Sequence, residues 1–236
     1  MVYQLAPGGL FSAQNVSVRF LIRLAYGVKD FQVIGGPAWL SSERYDLRAR
    51  ADGVSDPGEM ISMLQRLLAD RFRLKTYNDT KELPIYDLMP AKRGLKLQVA
   101  QPGSCFVSAP NVPMPAPRPG DSAAYVCGKT YYLVRNRILA RGVKISSFAD
   151  GIASRVGRIV VDKTDDSGTY DIDLQWNVDQ TSSTAHTAEP ELSQDLDDMV
   201  PSIAIALQNQ LGLRLQPDRS QVRVIVIDDI QRPSEN

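Results

Sequence analysis

Apolar and polar positions along this chain fall into two runs of elements in the same order. "LFSAQNV" at 10–16 reads as a short strand. Ser17 is an N-cap residue type, and Val18, Leu21, Ile22 and Ala25 follow at the i, i+3, i+4, i+7 spacing of one helix face. "GGP" at 35–37 breaks the chain, and "RYDLRARA" at 44–51 reads as the next strand. "DPGEMISMLQRLLADRF" then opens with Asp56 as cap, Pro57 at the first helical position and Glu59 at the third, a capping-box arrangement. Met60, Leu64, Leu67 and Leu68 continue that helix face, and "RLKTY" and "LPIYDLM" supply two more strands.

The second run repeats the order. "RILARGV" is the strand, and Phe148, Ala149, Ile152 and Val156 form the helical stripe. "RIVVD" and "TYDIDLQW" are strands flanking Gly168. A helix over 200–211 carries Val200, Ile203, Leu207 and Leu211, with Gly212 placed for its C-cap. "LRLQ" and "QVRVIVID" close the run. Phe72 to Met89 aligns without gaps on Leu211 to Asp228 at a constant offset of 139 (211 − 72). The step Tyr45–Asp46 returns as Tyr170–Asp171, 125 positions later (170 − 45).

An ordered match of this kind predicts internal duplication. The expected fold class is α+β: two tandem β-α-β-β-α-β-β units, each a small, mostly antiparallel sheet with two helices on one face. Tyr45, Asp46, Tyr170 and Asp171 are then a structural repeat pair, the ring packing on a helix and the carboxylate tying the turn. Between the units, residues 98–130 hold six prolines, too many for a helix or a central strand. Residues 181–195 are polar and nearly free of large apolar groups, which predicts a mobile loop. The expected organisation is a first unit over 1–97, a proline-rich excursion over 98–130 and a second unit over 131–236.

Composition narrows the function. Of 236 residues 43% are apolar, and 27 basic residues balance 27 acidic ones, so no electrostatic footprint for nucleic acid or an anionic membrane exists. No run approaches the roughly 18 apolar residues of a membrane span. "MVYQLAPGGLF" lacks a basic n-region and an apolar h-region, which predicts no signal peptide in this chain. The two cysteines, Cys105 and Cys127, lie within or beside the proline-rich stretch. They read either as unrelated thiols or as one disulfide closing the excursion in an oxidising compartment.

Several segments carry a family resemblance. "NVSVRFLIRLAYGVKDFQVIGGPAWLSSERYDLRARA", "MLQRLLADRFRLKTYNDTKELPIYDLMPAKRGLKL", "VVDKTDDSGTYDIDLQW", "LQNQLGLRL" and "VIVIDDIQRPSEN" together resemble the large family of uncharacterised secreted proteins of soil acidobacteria, the Solibacter type. The resemblance covers most of the chain outside the proline-rich stretch and the 181–195 loop. It implies a periplasmic or secreted location and a cysteine pair around the variable centre, which favours the Cys105–Cys127 disulfide. It brings no activity with it. Where the family usually reads Asp-Lys-Thr-Gly-Leu-Thr-Gly, this chain has Asp165 and Asp166 in place of the Gly-Leu turn.

Catalytic residue types are scarce. The one histidine, His186, lies in the polar loop, which positions an imidazole poorly for Ser-His-Asp or Cys-His chemistry. No nucleophile elbow, Walker loop or dinucleotide fingerprint occurs. Asp162, Asp165, Asp166, Asp171 and Asp173 crowd one turn and are candidate ligands for Ca or Mg, although EF-hand spacing is absent and a solvated acidic hairpin is the plainer reading. Capping suits Asp197 and Asp198, strand termination suits Asp228 and Asp229, and an Arg–carboxylate pair suits Glu43, Arg44 and Asp46. Trp39 reads as a packed aromatic after the turn. Two functions are therefore expected. One is an envelope module binding a small molecule, peptide, glycan or partner protein through its sheet edges. The other is a metal-dependent hydrolase of phosphoesters or esters at the acidic turn.

Overall fold

A computed structural model describes residues 2–6, 10–50, 57–107, 116, 124–134, 136–176 and 202–233. The chain is α+β. Its strands and helices run β1 Val2–Ala6, β2 Leu10–Val16, α1 Val18–Tyr26, β3 Val33–Ile34, α2 Trp39–Ser42, β4 Tyr45–Arg50, α3 Pro57–Phe72, β5 Lys75–Pro90 and β6 Gln98–Val99. There follow β7 Thr130–Val134, β8 Arg137–Lys144, α4 Ile145–Val156, β9 Val160–Asp162, β10 Thr169–Gln175, α5 Ser202–Ala206, a π-helical turn Leu207–Leu211, and β11 Leu213–Asp229. Loop 181–195, His186, Asp197, Asp198 and the Asp56 cap lie outside the described residues.

The chain forms two compact units, Met1–Leu83 with Ser220–Asn236, and Pro84–Arg219. Strands β5 and β11 each cross the boundary in sequence, so each unit uses the end of a strand that begins in the other. In the first unit β3 lies parallel to the end of β11, Val33 beside Ile225 and Ile34 beside Val226. In the second, β9 lies parallel to the end of β5, Val160 beside Tyr86 and Val161 beside Asp87. Ile225 and Val226 stand 139 positions after Tyr86 and Asp87 (225 − 86), the offset already present in the sequence. "RLKTY" and "LPIYDLM" thus belong to one unbroken strand. The polar residues between them read as a break because they are exposed or half-buried and carry no core pattern.

Each unit has its own core. In the first, Val18, Leu21, Ile22 and Ala25 of α1 are buried with Leu64, Leu68 and Phe72 of α3 and Phe11 and Ala13 of β2. Ser17 caps α1, its Oγ accepting the Phe20 N–H at 3.2 Å, and Gly27 ends the helix in the left-handed region. In the second, Phe148, Ala149 and Ile152 of α4 are buried with Ile138, Ala140, Ile172, Leu174, Leu207 and Leu211. Gly212 caps the π turn at φ 65°, and a Cβ there would overlap the Gly94 carbonyl oxygen, so glycine is required twice over.

The antiparallel ladders match pair for pair. Leu10, Phe11, Ser12, Ala13 and Val16 of β2 face Arg50, Ala49, Arg48, Leu47 and Tyr45 of β4. Arg137, Ile138, Leu139, Ala140 and Val143 of β8 face Gln175, Leu174, Asp173, Ile172 and Tyr170 of β10. Both ladders slip register at the same step, skipping Gln14 and Asn15 in one and Arg141 and Gly142 in the other, and Asn15 and Gly142 have φ of 54° and 56°. These are β-bulges at equivalent places. The second sheet differs by one strand: its order is β6-β10-β8-β7, against β1-β2-β4 in the first.

Candidate functional site

The Tyr-Asp step explains itself at the bulges. Asp46 Oδ1 accepts the N–H of Asn15 at 2.8 Å, and Asp171 Oδ1 accepts the N–H of Gly142 at 2.9 Å. A bulge residue turned to positive φ leaves its N–H out of the ladder, and the carboxylate satisfies it. The expected turn tie is therefore a bulge tie. Tyr45 packs edge-on against Phe72 of α3 with centroids 5.4 Å apart, and its hydroxyl donates to Glu43 at 2.8 Å. Tyr170 lies in the second core and donates to Asp166 at 2.8 Å. Burial first, then the Glu43 carboxylate, raises the Tyr45 phenol; the Asp166 carboxylate raises that of Tyr170.

In the second unit the latch holds more. Asp171 Oδ1 also accepts the buried Ser104 hydroxyl at 3.0 Å, and Oδ2 takes the Gln101 N–H at 3.4 Å. Cys105 follows Ser104 and is joined to Cys127 by a disulfide. A Cβ on Gly142 would stand 2.9 Å from the Cys105 sulfur, so the disulfide sits directly over the bulge.

Three other acids of the proposed cluster, Asp162, Asp166 and Asp173, serve separate internal donors. Asp162 accepts the Thr164 N–H at 2.9 Å and hydroxyl at 2.7 Å. Asp166 takes the Gly168 N–H at 2.7 Å besides the Tyr170 hydroxyl. Asp173 forms a fork with Arg137, at 2.9 and 2.7 Å, and Asp165 occupies the left-handed region at φ 56°. Among the described residues no three His, Cys, Asp or Glu side chains gather in a metal-holding arrangement. Glu43 pairs not with Arg44 but with Arg232, at 2.7 Å, and Arg232 stacks 5.2 Å over Trp39. Asp229 faces Lys75 at 3.9 Å.

The Arg137 guanidinium holds the Asp173 carboxyl below its ordinary value of 3.8. A depressed folded value means that the pair's contribution is present above the unfolded carboxylate value and lost as pH falls through the folded one. Both side chains are some 40% exposed, so the contribution is below about 1 kcal/mol. A carbon-13 titration of Asp173 should show a midpoint below 3.8 that returns toward it in Arg137→Met; an unchanged midpoint would remove Arg137 as the cause.

One concavity does stand out, in the first unit. A groove of about 330 Å³ is lined by Phe11 of β2, Ala49 of β4, and Met60, Met63, Leu64 and Leu67 of α3. Its charged lining is Arg50, Arg66, Asp70 and Arg71, three cations against one anion. Met63, 37% exposed, widens the apolar stripe of α3 beyond the positions that fill the core. At one end the second unit differs. Gln175, at the place of Arg50, has its backbone N–H and carbonyl both bound by the side-chain amide of Gln210, which stands 139 after Arg71.

The sequence marks none of the groove residues as a site; Met63 beside Leu67, one turn apart on α3, is the signal it offers. Among the described residues no helix is long and apolar enough to cross a membrane. No curated protein and no solved structure matches the chain. Residues 19–230, nearly its whole length, match the family model described as a protein of unknown function, DUF3738, and the chain belongs to that family.

Proposed function

We propose that this chain is a binding module whose recognition site is the groove of the first unit. The observation that carries the reading is the contrast between copies. Where Gln210 stitches the helix end to the strand end in the second unit, Arg71 and Arg50 line an open groove in the first. An apolar pocket with a few charged groups at its margin is the usual form of a ligand site. Its chemistry fits an apolar group carried next to a carboxylate. The alternative, a Ca- or Mg-dependent hydrolase at the acidic turn, has less support because Asp162, Asp166, Asp171 and Asp173 already accept internal donors.

The matched ladders, the equivalent bulges and the shared offset support an origin by internal duplication, with one copy kept as scaffold and the other opened for binding. The disulfide supports an oxidising compartment such as the periplasm or the exterior.

Decanoate tests the groove, with decanol as the uncharged control. Calorimetry should show saturable decanoate binding to the wild-type chain, weakened at least tenfold in Met63→Glu and about threefold in Arg66→Gln. Equal binding by all three proteins would sink the assignment.

A further inference from the structure

Beside its apolar wall the groove of the first unit carries two opposite charges. Arg66 and Asp70 both line it and stand one turn apart on α3. Residues at that spacing have Cβ atoms about 5–6 Å apart on one helix face, and opposite charges there commonly pair. These two do not. Among the described residues neither has a hydrogen-bond or ion-pair partner, whereas Arg50 and Arg71, the other cations of the lining, each have an interaction of their own. The order contributes, because an acid N-terminal to a base is the better pair and here the base comes first.

The second unit lacks this pair. Leu64 and Leu68, buried in the first core, have the buried Ile203 and Leu207 at 139 positions further on (203 − 64). At the same offset Ile205 stands for Arg66 and Asn209 for Asp70. The Asn209 carbonyl there accepts the Lys96 ammonium at 2.9 Å, a contact internal to the unit. The opposed charges thus occur in the unit that has the groove, and they border its apolar lining of Phe11, Met60, Met63 and Leu67.

We propose that the ligand of this groove is a zwitterion, an α-amino acid with an apolar aromatic side chain. Its carboxylate meets the Arg66 guanidinium, whose planar fork suits both oxygens. Its ammonium meets Asp70. A carboxylate and an ammonium carried on one carbon need both partners, whereas a simple carboxylic acid would face Asp70 as a like charge. Both residues are exposed, so the charged head stays at the margin and is not stripped of water. The ring enters the apolar lining, where the thioethers of Met60 and Met63 and the edge of Phe11 favour an aromatic guest.

This inference rests on the groove as the recognition site, and its test separates the two. The probes are L-phenylalanine, 3-phenylpropanoate, which lacks the ammonium, and 2-phenylethylamine, which lacks the carboxylate, each titrated calorimetrically into the full chain. Phenylalanine should bind at least fivefold tighter than either analogue. Asp70→Asn should weaken phenylalanine about fivefold while leaving 3-phenylpropanoate unchanged or tighter. Arg66→Gln should weaken phenylalanine about fivefold without weakening 2-phenylethylamine. Both substitutions are at exposed positions and leave the core intact. Decanoate binding without a preference for phenylalanine over 3-phenylpropanoate would overturn the zwitterion and leave the groove standing. Binding of none of these probes, decanoate included, would overturn both. Equal weakening of phenylalanine and 3-phenylpropanoate by Asp70→Asn, or phenylalanine binding indifferent to it, would likewise overturn the proposal.

Discussion

Asp171→Ala is expected to destabilise the second unit by about 3 kcal/mol, whereas Asp46→Ala should cost about half of that. A hydrogen bond to a charged group contributes roughly 1.5–3 kcal/mol, and a buried donor left unpaired costs about 1–3 kcal/mol. Asp46 is exposed and ties one N–H, that of Asn15, which water reaches once the carboxylate is gone. Asp171 is half-buried and ties Gly142, the buried Ser104 and Gln101. Denaturant midpoints read separately for each unit, for instance by amide exchange, measure the difference. Equal losses at the two aspartates would show that the bulge N–H alone matters and that the excursion is not held through Asp171.

Replacing Cys105 and Cys127 together by alanine should lower stability by about 3 kcal/mol, because the bond closes a loop between residues 22 positions apart. The loss has a local signature. The segment from β6 to Cys105 is held to β10 by the Ala100 N–H bond and by Ser104, and to Cys127 by the disulfide. Without the disulfide the Ala100 amide should exchange faster than the amides of β8. Combined with Asp171→Ala the effects should fall short of additivity, since both changes release one segment. An unchanged denaturation midpoint under reducing conditions would contradict this.

Helical faces were legible in the sequence, because a 3.6-residue period needs no knowledge of partners. Ser17, Gly212 and the stripes of α1 and α4 are examples. The Tyr-Asp step was half legible. Its repetition marked it as structural, but a bulge belongs to the neighbouring strand and cannot be read from the step alone. The five aspartates looked like a cluster because they are close along the chain. They stand on two strands and the turn between, and Asp162, Asp166, Asp171 and Asp173 each lie beside their own donors. The groove was illegible for a related reason: Phe11, Ala49 and Met63 meet only when β2, β4 and α3 are assembled. Likewise the use of the ends of β5 and β11 by different units leaves no mark on local periodicity.

The central proposal is that the groove of the first unit is the recognition site and that the Gln175–Gln210 end of the second unit is not. Its most direct test is an amide correlation spectrum of the full chain titrated with decanoate. The account predicts shift changes at Phe11, Ala49, Arg50, Met63 and Leu67, and none at Gln175 or Gln210. Shift changes centred on Gln175 and Gln210, or none anywhere at saturating probe, would contradict it.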